Sequence, residues 1–512
     1  TSLAHSPALF DDRFQLRVPQ LARLFDRDDW VVQNILDSDP DVLGFSCLTN
    51  TFGWAIEIAR RVRQKKRIPT VFGGVHPSAV PDFVMRYDEV DFVCEAEGEH
   101  ALLELAESLE GGGDGSGIEN IWHKADGVIT PPTGVRPFLQ DLDSLPWPDK
   151  ELYEGTYRHQ DLYHLMTARG CAYRCTFCFN NFYANLPTTT SKKKYVRRRS
   201  PEDCLAELRW AKERYNFYGI EIYDDIFTMD KTWLYEFLPR LRDEIGTPYL
   251  ALVHANFIDD EIAQLLAETG CAGAQMGIQS LDDRAYTKGF LKRVEKKEDL
   301  AKACTALARA GVPLDADHIF GLPEESPEAR QMALEFYRDY TPSRIGNYWL
   351  TYFPAVEITR HAHESGQLDN EAMTDLDRGE LHLYHHIAPL TPEGAQEVEE
   401  HRKLMYALML MPGVPKWMRP LLVPDVLAKI PGIWQICQAN VAGKMILDFF
   451  RGGNFWGWTY FRNYGYQTLG KGRTHGRPVG DTKRWGSPRL PWNLTRLLRK
   501  GALDGDESAG GA

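Results

Sequence analysis

The chain has 512 residues, 43% hydrophobic and 26% charged, a balance that excludes disorder as its main theme and leaves room for two or three domains. A formal charge of −13 argues against general nucleic-acid binding, because affinity for a phosphate backbone comes mainly from Lys and Arg. No run of about 18 apolar residues suggests a membrane span, and Thr1-Ser2-Leu3-Ala4-His5 starts no basic-then-apolar leader, so a cytoplasmic protein is expected.

Taken in order, the first third reads as parallel α/β. Asp11 to Arg27 suggests loop and helix. Asp41 to Cys47 is a strand running into the polar loop Leu48-Thr49-Asn50-Thr51, and Ala55 to Arg63 is an amphipathic helix. Pro69 to Gly74 is the next strand, with Val75-His76-Pro77-Ser78 as its loop. Asp91 to Cys94 is a third, and Glu97-Gly98-Glu99 opens a helix over Ala101 to Leu109. Loops at strand ends are where an open parallel sheet takes a ligand, and Gly73-Gly74 lets backbone approach it closely. Gly111 to Gly117 is a flexible loop by composition. Asn120-Ile121-Trp122 and Val128-Ile129 flank a hairpin turn. Leu142 to Asp149 is a stiff connector.

The second part opens with an apolar run, Leu162 to Thr167, and then Arg169-Gly170-Cys171-Ala172-Tyr173-Arg174-Cys175-Thr176-Phe177-Cys178. Nine cysteines occur in all. Six are scattered in apolar patterns and read as small buried hydrophobes. An odd count without a secretion signal argues against a disulfide framework. The other three can converge on one metal centre. A structural zinc site would need a fourth Cys or His. An iron–sulfur cluster held by three thiolates leaves one iron open to a ligand, which is the favoured reading.

Strand and helix then alternate. Helices are expected over Pro201–Arg214 (capped by Ser200), Trp233–Ile245, Asp259–Thr269 and Asp299–Ala310. Strands are expected over Gly219–Asp225, Tyr249–Val253, Ala274–Ser280 and Leu314–Phe320. This spacing implies parallel β/α units, whose chemistry gathers at the strands' C-terminal ends. Polar groups sit there: Asp224 and Asp225, His254 and Asn256, Gln279 and Ser280, His318 and Gly321. The basic run Lys192 to Arg199 reads as a solvated or substrate-carboxylate-facing segment, given the acidic whole.

Beyond about residue 345 the alternation stops. His382, His385 and His386 fall in an expected helix, where packing or substrate-facing polarity is favoured over a second metal site. Val423 to Phe450 is apolar but interrupted by charges, and Lys471 to Lys500 is basic with many Trp and Pro. Such a region could lie against a membrane surface or cap the barrel over a large apolar substrate. Gly501 to Ala512 is an expected disordered tail.

Cys-x3-Cys-x2-Cys with an aromatic before the last Cys resembles the signature of radical S-adenosylmethionine (SAM) enzymes. The resemblance implies a [4Fe–4S] cluster on Cys171, Cys175 and Cys178 as the catalytic and metal-binding residues. It also implies SAM at the open iron, and a 5′-deoxyadenosyl radical on reduction. Phe177 would sit beside the adenine, and Asp224, Asp225, Gln279, Ser280, His318 and Gly321 would line the SAM site. Gly277-Ile278-Gln279-Ser280 carries Gln where the family has Glu, and His254 stands where relatives often carry Arg.

Joined to that motif, Gly-Phe-Ser-x-x-Thr, Gly-Gly-x-His-Pro and Glu-Gly-Glu resemble the cobalamin-binding domains fused in front of such barrels, including relatives of the anaerobic magnesium-protoporphyrin ester cyclase. The resemblance places Ser46, Thr49, Gly73, Gly74, His76, Glu97 and Gly98 at cobalamin. No Asp-x-His-x-x-Gly motif occurs, so His76 is expected near the cofactor without ligating cobalt. The family's first strand and Pro-rich loop have no evident counterpart in residues 1–40.

The expected fold is therefore an N-terminal open parallel sheet (1–140), a linker (141–155), a partial (β/α)6 barrel (156–355), a helical, aromatic-rich region (356–500) and a tail (501–512). The implied activity is methylation of an unactivated carbon, with oxidative cyclisation or rearrangement as the second reading and a metal-cluster binding module as the non-enzyme one. Expected partners are a small molecule, large and apolar, and an electron donor such as flavodoxin or ferredoxin. No nucleic acid is expected, and peripheral membrane contact stays open.

Overall fold

A computed structural model describes residues 28–150, 162–186, 188, 195–215, 217–282, 291–323, 325, 326 and 328–450. The readings made on Asp11 to Arg27, Lys471 to Lys500 and Gly501 to Ala512 lie outside these residues.

The N-terminal sheet has the order β1-β2-β3-β4-β5, with β1 Leu43–Ser46, β2 Thr70–Gly73, β3 Phe92–Cys94, β4 Ile121–Ala125 and β5 Val128–Thr130. The first three strands are parallel, and the hairpin β4–β5 adds antiparallel to β3. Its longer helices are α1 Asp28–Ser38, α2 Thr49–Arg63 and α3 Glu99–Glu110, and two short ones, Val75–Ala79 and Pro81–Val84, follow β2. One face of α2 (Phe52, Ala55, Ile56, Ala59) packs on Phe72 and Val93 of the sheet. The spacing of those side chains keeps them on one stripe of a helix. Among the described residues β1 is the sheet's edge, and Gly44 and Ser46 on it are exposed.

The second sheet is six-stranded and entirely parallel, in the order β13-β12-β11-β10-β9-β6. Its strands are β6 Leu162–Leu165, β9 Gly219–Ile222, β10 Tyr249–Val253, β11 Cys271–Gln279, β12 Leu314–Phe320 and β13 Arg344–Trp349. The covering helices are α5 Pro201–Arg214, α6 Lys231–Arg240, α7 Asp260–Glu268, α8 Lys297–Ala310 and α9 Ala329–Asp339, and a short α4, Phe179–Ala184, follows the cysteines. Ser200 caps α5 and Pro201 starts it, as that pair suits a first turn. The expected helix to Ile245 ends as a wider turn over Leu241–Ile245, after Pro239 inside α6.

Side chains alternate across a strand. Tyr163, Ile220, Ile222, Ala251, Met276, Ile278, Ala316 and Phe320 therefore face the helices in one core. The residues between them, among them His164, Glu221, Gln275, Gln279, Asp315, Asp317 and Arg344, lie on the opposite, inner face. Two short strands, β7 Ala168–Arg169 and β8 Arg197–Arg198, pair antiparallel beside the cysteine loop.

The connector 142–150 lies on α5: Trp147 donates to Asp203 at 3.0 Å, and Lys150 to Glu207 at 2.7 Å. Past the barrel come β14 Thr351–Tyr352, α10 Asn370–Asp377, β15 His382–Leu383, α11 Pro392–Leu410 and α12 Ile433–Phe450. The histidine stretch is thus a strand followed by a short helix, Tyr384–Ile387, not one helix. His382 pairs with Asp375 and His385 lies against Trp349. The C-terminal region presents Trp417 at 76% and Leu421 at 65% exposure. No helix among the described residues is long and apolar enough to cross a membrane.

Candidate active site

The cysteine loop joins β7 to α4. Asp225, just past β9, accepts from the Nδ2 of Asn180 at 2.7 Å. The same Nδ2 lies 3.8 Å from Cys178 Sγ. The backbone N–H of Tyr173 donates to Cys171 Sγ at 3.4 Å. Tyr173 stacks on His254 with ring centres 4.3 Å apart, and its hydroxyl accepts from Asn256. His254 in turn lies 3.4 Å from Glu295, which Arg293 grips while donating to the Gly277 carbonyl. A chain of contacts therefore ties the loop to the ends of β10 and β11.

All three cysteines are free. Burial pushes the Cys171 thiol up to about 12 and Cys175 to about 11, and raises Cys178. Without a positive centre they stay protonated, so loading iron must release their protons. Among the described residues no three His, Cys, Asp or Glu side chains form a site for one metal ion. A four-iron cluster places each thiolate on a different iron, and the donor set here, three thiols with N–H groups aimed at two sulfurs, fits that group.

Five residues expected at the cofactors turn out to hold protein together. Asp224 is fully buried and accepts from the backbone N–H groups of Thr167 (2.6 Å) and Ala168 (2.9 Å) and from the Thr167 hydroxyl. It anchors β7 to the end of β9. His318 falls on the helix-facing side of β12, against Phe320 and Tyr337 of α9, and burial drives its imidazole down to about 3. Alternation decides this: two residues from Phe320, it shares that residue's face. Ser280 is buried and donates to Glu325. Gly321 (φ +79°) lies under the Tyr384 ring, where any side chain would collide. Glu97 is the fifth. Its carboxylate accepts from the Leu139 N–H at 2.9 Å, Arg197 at 2.7 Å and Arg169 at 3.1 Å.

Arg197 also corrects the reading of the basic run. It is buried, lies over Phe138 and reaches Glu97. Arg198 faces Asp224, and Arg199 pairs with Asp203 and Glu207. These three arginines are internal, not solvated; Lys192, Lys193 and Lys194 of the run lie outside the described residues.

Gln279 lies on the inner face of the sheet. It sits at φ +65° at the inner end of β11, and its Oε1 is buried without a protein hydrogen-bond partner, an acceptor that a ligand's N–H or O–H can satisfy. Phe177 packs in an apolar group with Leu291, Leu322, Leu350 and Val356.

In the N-terminal sheet the strand-end loops converge. Gly74 has φ +93°, and a Cβ on it would lie 2.9 Å from both the N and O of Cys47 and 3.2 Å from Ser46 Oγ, so the β1 and β2 loops touch through bare backbone. Gly73 packs on Cys94, and Gly98 on Cys94 and Leu102. His76 is fully buried, its ring tilted against Phe52 at 4.4 Å, with Nε2 3.1 Å from the carbonyl oxygen of Asp377, the last residue of α10. Burial lowers it to about 4. Two buried atoms here, Thr49 Oγ1 and His76 Nδ1, have no protein partner. Buried polar atoms are rarely left so, and these two fit a ligand rich in amides and hydroxyls, as cobalamin is. The histidine is held by the C-terminal region, a partner that lies 301 residues away in sequence.

Sequence reasoning missed Arg169, Asn180 and Arg197. The first two flank the cysteines directly, which was the available signal. Arg197 was hidden within a run of like charge.

The model of the Radical SAM superfamily matches residues 165–337, and that of the B12 binding domain residues 17–106. An uncharacterized methyltransferase of Pyrococcus horikoshii is 26% identical over 63% of this chain and 70% of its own length. The anaerobic magnesium-protoporphyrin IX monomethyl ester cyclase of Rubrivivax gelatinosus is 24% identical over 64% of this chain and 59% of its own length. Among solved structures, the cobalamin-dependent SAM radical enzyme OxsB, with aqua-cobalamin and SAM bound, superposes with a TM-score of 0.58 at 16% identity, over 86% of this chain and 77% of that one.

Proposed function

Because this chain is a radical SAM enzyme with a B12-binding domain ahead of its barrel, we propose that it methylates an unactivated carbon of a small-molecule substrate. A radical SAM domain takes a [4Fe–4S] cluster and SAM, and a B12-binding domain takes cobalamin, so these are its cofactors. Cys171, Cys175 and Cys178 would hold the cluster, Gln279 and Asp225 would meet SAM, and Thr49, Gly74 and His76 would meet cobalamin. When bound, the cluster and SAM supply a 5′-deoxyadenosyl radical and cobalamin supplies a methyl group.

The protein's task is then placement. The observation that carries the reading is the meeting of the two loop sets. Glu97 and Glu99 of the N-terminal sheet grip Arg169, two residues before Cys171. Ser78 accepts from the Ala96 N–H and hydrogen-bonds Tyr183 of α4, just after Cys178. A substrate on the inner barrel face would lie among Glu221, Gln275 and Asp317. There Gln275 donates to Asp317 at 2.7 Å, and burial raises that carboxyl to about 6. The segment around Tyr384 closes over Gly321 and screens that end from water.

The test is incubation of reduced, cofactor-loaded enzyme with methyl-deuterated SAM and extracts of candidate small molecules. Methyltransfer predicts 5′-deoxyadenosine together with a product heavier by one deuterated methyl group. Cleavage of SAM with an unlabelled, dehydrogenated product would favour cyclisation, the activity named for the Rubrivivax gelatinosus relative.

A further inference from the structure

We propose that Glu97 is a positioning residue: with Arg169 and the buried Arg197 it forms a partly buried charged joint that fixes the cobalamin loops against the cluster loop. This rests on the two-cofactor reading above. The carboxylate comes from the loop after β3, whereas Arg169 ends β7, immediately before the cysteines, and Arg197 lies on the paired strand β8. All three contacts converge on it: two guanidiniums and the Leu139 N–H of the connector. Glu99 adds a second contact to Arg169 at 2.7 Å. Burial opposes the charge of Arg169, yet Glu99 and Glu97 outweigh it and hold its pKa above the ordinary value.

The neighbourhood is built for rigidity. Ala96, a non-glycine residue at φ +65°, carries local strain that persists only where surroundings over-determine it. Its N–H is held by Ser78, and the Glu97 carbonyl by Asn120. Phe138 and Tyr195 pack edge to face beside the joint. A carboxylate so engaged has most of its acceptor sites filled by protein. Its role is geometry: removing the carboxylate leaves the buried Arg197 uncompensated, and the two loop sets should loosen without either losing its own ligands.

The experiment uses the full chain loaded with iron, sulfide and cobalamin. Wild type, Glu97→Gln and a control, Glu104→Gln, are reduced to the paramagnetic cluster and cob(II)alamin states. The control breaks the pair between Glu104 of α3 and Arg136, away from the joint. The magnetic coupling between the two centres, which falls with the cube of their distance, is read by electron paramagnetic resonance beside iron and cobalt contents. The proposal expects Glu97→Gln to keep both metals but show a smaller, more heterogeneous coupling, with Glu104→Gln unchanged. Loss of cobalt alone from Glu97→Gln would make Glu97 a cobalamin contact and overturn it, as would an unchanged coupling. If Glu97→Gln does not fold, Arg169→Lys, which keeps the charge but loses the fork geometry, carries the same expectations. Absence of cobalt from the wild type itself would instead count against the two-cofactor reading.

Discussion

The two cofactor sites are built in opposite ways. The proposed cluster site is local: the three cysteines that would hold the cluster lie within eight residues, and their supports, Tyr173 and Asn180, are their neighbours in sequence. The cobalamin site proposed above is assembled: loops after separate strands, bare backbone at Gly74, and a histidine whose partner is the last residue of α10. A local site survives disturbance elsewhere, whereas an assembled one fails whenever any contributor moves. The same contrast explains why iron loading and cobalt loading should be separable by mutation.

The largest break is at the local site. Cys175→Ala should abolish SAM cleavage, a loss of about a thousandfold or more, and remove the cluster's iron while cobalt binding persists. Iron analysis and 5′-deoxyadenosine formation check it, and parallel loss of cobalt would contradict the separation. Gly74→Ala should do the reverse. A Cβ has no room against the Cys47 backbone and φ is positive, so overpacking and strain should cost about 1–3 kcal/mol. Cobalamin binding should weaken while iron stays, as measured by cobalt content and thermal melting.

Acid sharpens the comparison. His76, lowered to about 4 by burial, sits below its unfolded value of about 6.5. Between those values the unfolded chain binds more protons, so the stability His76 contributes is full above about pH 6.5 and is lost as pH falls toward about 4. His318 and His401, at about 3 and about 4, add the same sign in the barrel half. The share of His76 is therefore the difference between wild type and His76→Gln in melting temperature against pH, up to about 3 kcal/mol. Equal acid sensitivity of the two proteins would remove it. The smallest effect should be at Thr49→Val. Removing an unpartnered buried hydroxyl should leave the cofactor-free chain equally or more stable, yet weaken cobalamin binding by about tenfold, one hydrogen bond's worth. Calorimetry with and without cobalamin separates the two signs.

What could be read from sequence follows the same division. The alternation of β9 to β12 with α5 to α8 was legible because apolar period and helix stops are local, and so was the cysteine loop. Which face a polar residue takes was not. His318 and Gln279 both lie at or near a strand's C-terminal end, but one points to the helices and the other inward, and only register distinguishes them. Asp224, Ser280 and Glu97 look like ligands in sequence and serve as struts. Each is held by a partner from another segment, Thr167, Glu325 or Arg197, that no local pattern announces.

The central claim, that this chain brings a cluster and a cobalamin together, is tested most directly by iron and cobalt per chain after anaerobic purification with cobalamin supplied. The account predicts about four irons and about one cobalt per chain, bound by one B12-binding domain. Iron at that level with no cobalt would leave the radical barrel standing and contradict the two-cofactor enzyme.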